Sequence, residues 1–298
     1  MIMNYIQKVL TVFFVIGFIS ICVAHQSIAE SNFQEIISKA EQGEADAQYH
    51  LGSMYYSGEG VPHDDEQAIQ WYTKAAEQGH VDAQYNLALM YKHGQGVLLN
   101  FKQTIQWYTK AAEQGHVDAQ FFVALMYKNG QGVPQDFKQA IQWYTKAAEQ
   151  GDVDAQYNLA LMYKNGEGVP QDDKQAIKWY TKAAEQGDTM SQTNLGSMYK
   201  HGEGVPQDFK QAIQWYTKAA EQGDVDAQYN LALMYKNGEG VLQDYMIAYA
   251  WFNLAAFQGG ELPRKNRDII LERMTPSQIE EGQKHSKELY DKIYNRDK

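Results

Sequence analysis

Only one cysteine, Cys22, and six prolines occur in 298 residues. A lone thiol excludes an internal disulfide framework, a cysteine-built zinc site and a Cys-x-x-Cys redox centre. Basic residues are also scarce. The chain has 26 Lys and Arg against 37 Asp and Glu, a formal charge of -11, and the two signs are interleaved instead of blocked. No basic stripe is available to track phosphates, so nucleic acid is excluded as the expected partner. Apolar runs are short. The longest, Val9 to Val23, has about 15 residues, fewer than the roughly 20 a membrane-spanning helix needs. With Lys8 before it and the small residues Ala24 and Ala29 after it, this run reads as a cleavable signal peptide over 1–29. The expectation is a periplasmic or secreted protein with no membrane span once the leader, and Cys22 with it, is removed.

What the sequence has in quantity is repetition. Val153 to Asp188, VDAQYNLALMYKNGEGVPQDDKQAIKWYTKAAEQGD, recurs with few changes. Six units of 36 residues fill 45–80, 81–116, 117–152, 153–188, 189–224 and 225–260 without a gap. A fixed period of this length marks a stack of small supersecondary units. Within a unit, Ala155, Leu159 and Tyr163 recur every fourth position and predict one amphipathic helix from about Asp154 to Lys164. Asn165-Gly166 stops it, and Gly168-Val169-Pro170 turns the chain. A second helix begins at Asp172, a capping residue with Gln175 at capping-box spacing, and presents Ala176, Tyr180, Ala183 and Ala184 before Gly187 ends it. One helix pair cannot bury both faces alone, so the pairs must stack and the two ends need caps. Residues 30–44 supply one, with Asn32 and Glu35 at capping-box spacing. Residues 261–298 supply the other, where Thr275-Pro276-Ser277-Gln278 opens a helix.

The unit resembles the Sel-one-like repeat, a relative of the tetratricopeptide repeat. The resemblance rests on Ala155, Leu159-Ala160, Tyr163, Gly166-Glu167-Gly168-Val169, Ala176, Ala183-Ala184 and Gly187, and it spans the six units. The family's glycine after the leucine survives only as Gly52 and Gly196. The resemblance implies an all-α, right-handed superhelical solenoid of six helix pairs. It also implies a non-enzymatic adaptor or scaffold, often exported by bacteria that contact host cells.

Chemical motifs are few, and the repeat supplies its own control for each. His80 and His116 stand where other units have Asp152, Asp188 and Asp224, so they read as helix-cap residues instead of metal ligands. Ser197-Met198-Tyr199-Lys200 matches the Ser-x-x-Lys of penicillin-recognising enzymes, but Ser197 replaces Leu161 of another unit and the accompanying strings are missing. The Gly-x-Gly turns follow helices, not strands, and are explained as helix stops. No metal site, no cofactor and no catalytic residue is expected.

A partner is expected to be a protein or peptide held on the first helices, opposite their packing face, by a monomeric chain. That register selects an aromatic ladder (Tyr85, Phe121, Tyr157, Tyr229), a leucine ladder (Leu89, Leu125, Leu161, Leu233) and a lysine ladder (Lys92, Lys128, Lys164, Lys200, Lys236). Aromatics beside aliphatics, flanked by fixed charges, suit a peptide groove. The alternative is a cell-envelope enzyme or factor acting on wall polymers or penicillins. The fifth unit, with Thr189, Met190, Ser191 and Thr193, departs from the pattern and is expected to be a weak seam.

Overall fold

A computed structural model of the chain describes residues 33–295, so the expected leader, Cys22 and the Asn32 cap lie outside the described residues. Every regular element among them is helical. A first helix α1 covers 33–41. Six pairs follow: α2 (Ala45–Ser57) with α3 (Asp65–Glu77), α4 (Val81–His93) with α5 (Phe101–Glu113), α6 (Val117–Asn129) with α7 (Phe137–Glu149), α8 (Val153–Asn165) with α9 (Asp173–Glu185), α10 (Thr189–His201) with α11 (Phe209–Ala220), and α12 (Val225–Asn237) with α13 (Tyr245–Phe257). Two further helices, α14 (Glu261–Leu271) and α15 (Pro276–Tyr294), complete the chain. The fold is an all-α solenoid. It divides into two compact units, one ending at Gln135 and one beginning at Asp136.

Local chemistry places every boundary in α8 and α9. The Asp152 carboxylate accepts the Ala155 N–H at 2.6 Å and starts α8. Gly166 ends it in the left-handed conformation, φ 70°, donating its N–H to the Met162 carbonyl. Glycine alone takes that role, since no other described residue has positive φ. Asp172 then accepts the N–H groups of Lys174 and Gln175, each at 3.0 Å. The reciprocal bond of a full capping box forms at Thr275 and Gln278, which open α15 with Pro276 in the first turn. At the end of α9 the Asp188 N–H returns to Ala183 O and the Gly187 N–H to Ala184 O, each at 3.1 Å, the two bonds of a Schellman stop.

Within the second unit α8, α10 and α12 each pack on their own partner, and α9 and α11 pack on the first helix that follows. Ala155, Leu159, Ala160 and Met162 of α8 meet the same sort of surface from α9, Ala176, Tyr180, Ala183 and Ala184, and all eight are buried. Burying a side chain such as Leu159 or Met162 is worth roughly 1.5–3 kcal/mol, and the recurrence of these positions turns that gain into a repeating one. The buried stripe is rotated from the sequence expectation. It takes in Gln156 and Met162, while Tyr163 is only half-buried. The first unit repeats the scheme with α2 on α3, α3 on α4 and α4 on α5.

The carboxy-terminal end is closed by apolar surface. Tyr249, Ala250, Trp251, Phe252 and Leu254 of α13 are buried because α14 and α15 pack over them. At the other end, α1 places Ala40 against Ala47 and Leu51 of α2. Ala40 occupies the position of Ala76 one repeat later, as expected of a lone second helix.

Candidate partner-binding surface

The ladder residues lie where the first helices face away from their buried stripe. All thirteen are half-buried: none is fully exposed and none is part of the fully buried core. Neighbouring elements already hold most of them. Tyr85 stacks on His116 at 4.4 Å between centroids and tilts against Tyr108 at 5.7 Å. Tyr49 repeats the arrangement on His80, 4.5 Å away. Tyr157 and Tyr229 tilt against Tyr180 and Phe252 of their own second helices, at 5.9 and 5.7 Å. Phe121 meets Phe122 edge-on at 5.4 Å. The aromatic ladder therefore braces each pair as well as lining its surface.

The lysines are tied to the turn of the following repeat. Lys164 lies 3.6 Å from Glu203 and Lys200 lies 3.5 Å from Glu239, each glutamate being the middle residue of a Gly-x-Gly turn. Lys236 donates to Asn266 at 2.8 Å, past the last repeat. Tyr56, the residue at this position in the first repeat, takes a bond from Gln95 of the next turn at 3.4 Å. Lys92 sits 4.2 Å above the Phe122 ring, its pKa lowered by desolvation. Lys128 is half-buried at the equivalent place. Leu89, Leu125, Leu161 and Leu233 remain as half-exposed aliphatic side chains on the same faces.

Two polar series that the ladder argument passed over sit deeper. Gln84, at the fourth position of a first helix, is buried; it donates to Ala76 O at 3.0 Å and accepts from Gln114 at 2.8 Å. Gln156 with Gln186 and Gln192 with Gln222 repeat this in the second unit. Gln228 and Gln258 end the series on the Tyr294 hydroxyl of α15, at 3.1 and 2.6 Å. These amides add a second donor to carbonyls at the ends of second helices, as Gln192 does at Ala184 O beside the Gly187 N–H. Their signal was present in the sequence: the same glutamines stand in all six units. The other series lies on the second helices, where Lys74, Lys110, Lys146, Lys182 and Lys218 each cover the tryptophan three residues before at 3.6 to 4.3 Å.

The catalytic string has other work. Ser197 lies near enough to the Tyr216 phenol to act against the effect of burial on its pKa, and Lys200 pairs with Glu239. His80 and His116 use Nδ1 to accept the Ala83 and Ala119 N–H groups at 3.2 Å, as caps. No group of three or more His, Cys, Asp or Glu that could hold a metal occurs among the described residues. No described helix is long and apolar enough to cross a membrane.

Stacked helix pairs joined by an invariant glutamine seam define a helical repeat protein. The model of the Sel1 repeat matches residues 45–80, 81–116, 117–152, 153–188, 189–224 and 225–260, and the chain belongs to the Sel1 repeat family. A Sel1 repeat protein of Oxalobacter formigenes is 38% identical over 72% of this chain and 89% of its own, with a TM-score of 0.59. A protective antigen of uropathogenic Escherichia coli with an SLR fold is 34% identical over 90% of this chain and 73% of its own, with a TM-score of 0.39. No curated protein matches the chain. Proteins of this family mediate protein–protein interaction and are typically non-enzymatic scaffolds.

Proposed function

We propose that the chain is an exported scaffold that holds a segment of another protein against its first helices, and that it works as a monomer without cofactor or catalysis. The observation that carries this reading is the recurrence of a half-exposed leucine in four of the six pairs, at Leu89, Leu125, Leu161 and Leu233, beside half-exposed aromatics at fixed spacing. A periodic apolar line on a rigid support suits an extended or helical segment better than a small molecule. The lysines set direction less than the sequence implied, since Lys164 and Lys200 are shared with the next turn. Contact with host cells is part of the proposal only by family likeness.

The test is site-specific photo-cross-linking from positions 89, 161 and 233 in the bacterium that makes the protein, with position 178 on the outer face of α9 as control. One protein should cross-link from the first-helix positions and not from 178. Equal cross-linking from all four would remove the surface assignment. Nitrocefin turnover abolished by Ser197→Ala would favour the envelope-enzyme alternative. Amino-terminal sequencing of the exported chain should begin near His25 or Glu30, and an intact Met1 on a membrane-bound product would overturn export.

A further inference from the structure

At the amino-terminal end of the first unit, α1 and α2 border an open groove of about 990 Å³ whose lining includes Phe33, Ile36, His50, Met54 and Glu59. The same place one repeat later is a cavity of only about 40 Å³. Its lining, Tyr72, Asn86, Leu89 and Met90, corresponds one for one to Ile36, His50, Ser53 and Met54, and Tyr56 completes it. Tyr56 belongs to α2, the first helix of the preceding pair. A first helix is thus what closes this junction inside the stack.

Three side chains at the open end are short of what such a helix gives their equivalents. Met54 is half-buried, whereas Met90, Met126, Met162, Met198 and Met234 are all buried. Glu59 is exposed and pairs with no described residue, whereas Glu203 and Glu239 face lysines of the preceding first helix. Gln42 donates to Ser38 on its own helix, whereas Gln78, Gln114, Gln186 and Gln222 donate to a glutamine of the first helix before them. The surface is apolar in the middle, with a carboxylate at one end and an amide donor at the other.

We propose that this end of the solenoid docks one α-helix of a partner protein, with Leu or Met on its inner face, a hydrogen-bond acceptor toward Gln42 and a Lys or Arg toward Glu59. The acceptor and the cation should stand eight residues apart, as Gln156 and Lys164 do in α8. The chain's own preceding sequence does not carry that pair: one repeat period earlier the positions facing Gln42 and Glu59 are Val12 and Ser20. Charge complementarity therefore favours a second protein as occupant. This site is separate from the leucine line of the preceding section and stands without it.

The probe is a fluorescein-labelled peptide copying 152–166, DVDAQYNLALMYKNG, followed by anisotropy against the full chain and against the chain from Glu30 onward, which keeps every described residue. Saturable binding to both is expected. A peptide with Lys164→Glu should bind at least tenfold more weakly, and Glu59→Lys in the chain should restore it. Glu59 is exposed, so that variant should keep the parent's melting temperature. Absence of binding, or binding indifferent to both charge changes, would overturn the site. Binding only to the shortened chain would make residues 1–29 the occupant, and peptide-competed self-association would make it a second copy; either result overturns the partner assignment.

Discussion

The ring of Tyr216 lies on Gly196 so closely that a Cβ added there would stand 2.6 Å from its Cδ1 atom. That approach brings the hydroxyl to Ser197, the next residue. Tyr72 repeats it on Gly52, with its hydroxyl 3.1 Å from Ser53. Where the pair is Ala-Leu, as at Ala160-Leu161, the Tyr180 hydroxyl is buried without a hydrogen-bond partner. Gly-Ser and Ala-Leu are thus two coupled solutions for seating the same tyrosine.

Replacing Gly196 by Ala alone should destabilise the chain by about 1–3 kcal/mol, because the ring must retreat. Adding Ser197→Leu reproduces the Ala-Leu seat and should recover part of that loss. Urea unfolding of both variants and of Ser197→Leu gives the coupling directly. Additive effects would show that the two positions act independently.

The tyrosines themselves should respond with opposite signs. Tyr72→Phe removes a formed bond and should cost about 0.5–1.5 kcal/mol, whereas Tyr180→Phe deletes a buried hydroxyl that has no partner and should be neutral or stabilising. Burial raises the pKa of both phenols, so neither should ionise as pH rises until the stack opens. Thermal melts of the two variants decide the first point; an equal loss in both would mean that ring packing alone matters.

The fifth repeat is a mixed seam. Ser191 is fully buried and its hydroxyl has no partner, but Thr193 bonds Asp224 at 3.0 Å and Thr189 bonds Gln222 at 3.1 Å. Ser191→Ala should therefore stabilise by about 1 kcal/mol, while changing Thr193 to Tyr gives up a bond to the residue that caps α12. Hydrogen exchange should slow in α10 of Ser191→Ala relative to the parent. No change in α10 would mean that the hydroxyl is satisfied by water.

Reversing one charge of the inter-repeat pairs should lower the melting temperature without loss of helix. Lys200→Glu sets two carboxylates together at a partly buried site and should cost about 1–3 kcal/mol. The double variant with Glu239→Lys should regain most of it. The loss should shrink in high salt, and a melt insensitive to Lys200→Glu would leave the lysine free for a partner.

Much of this protein was legible one residue at a time. The repeat period, the caps at Asp152 and Asp172, the stop at Gly166 and the cap role of His80 and His116 depend on bonds within a few residues, and the sequence names them. The internal repetition also carried the invariant glutamines, which the helical periodicity gave no reason to single out. Helical phase was less certain. Tyr163 and Met162 compete for the same stripe, and the choice rests on which neighbour is nearer.

The sequence by itself determined the all-α class and the six units, because helix formation and capping are local, and it proposed positions for a partner. Only the tertiary structure decided what those positions are free to do. Lys164 and Glu203, Gln156 and Gln186, and Tyr216 and Ser197 lie 19 to 39 residues apart. Lys164 and Glu203 meet because successive pairs stack, the other two because the helices of one pair fold together, and the pattern along a single helix specifies neither distance.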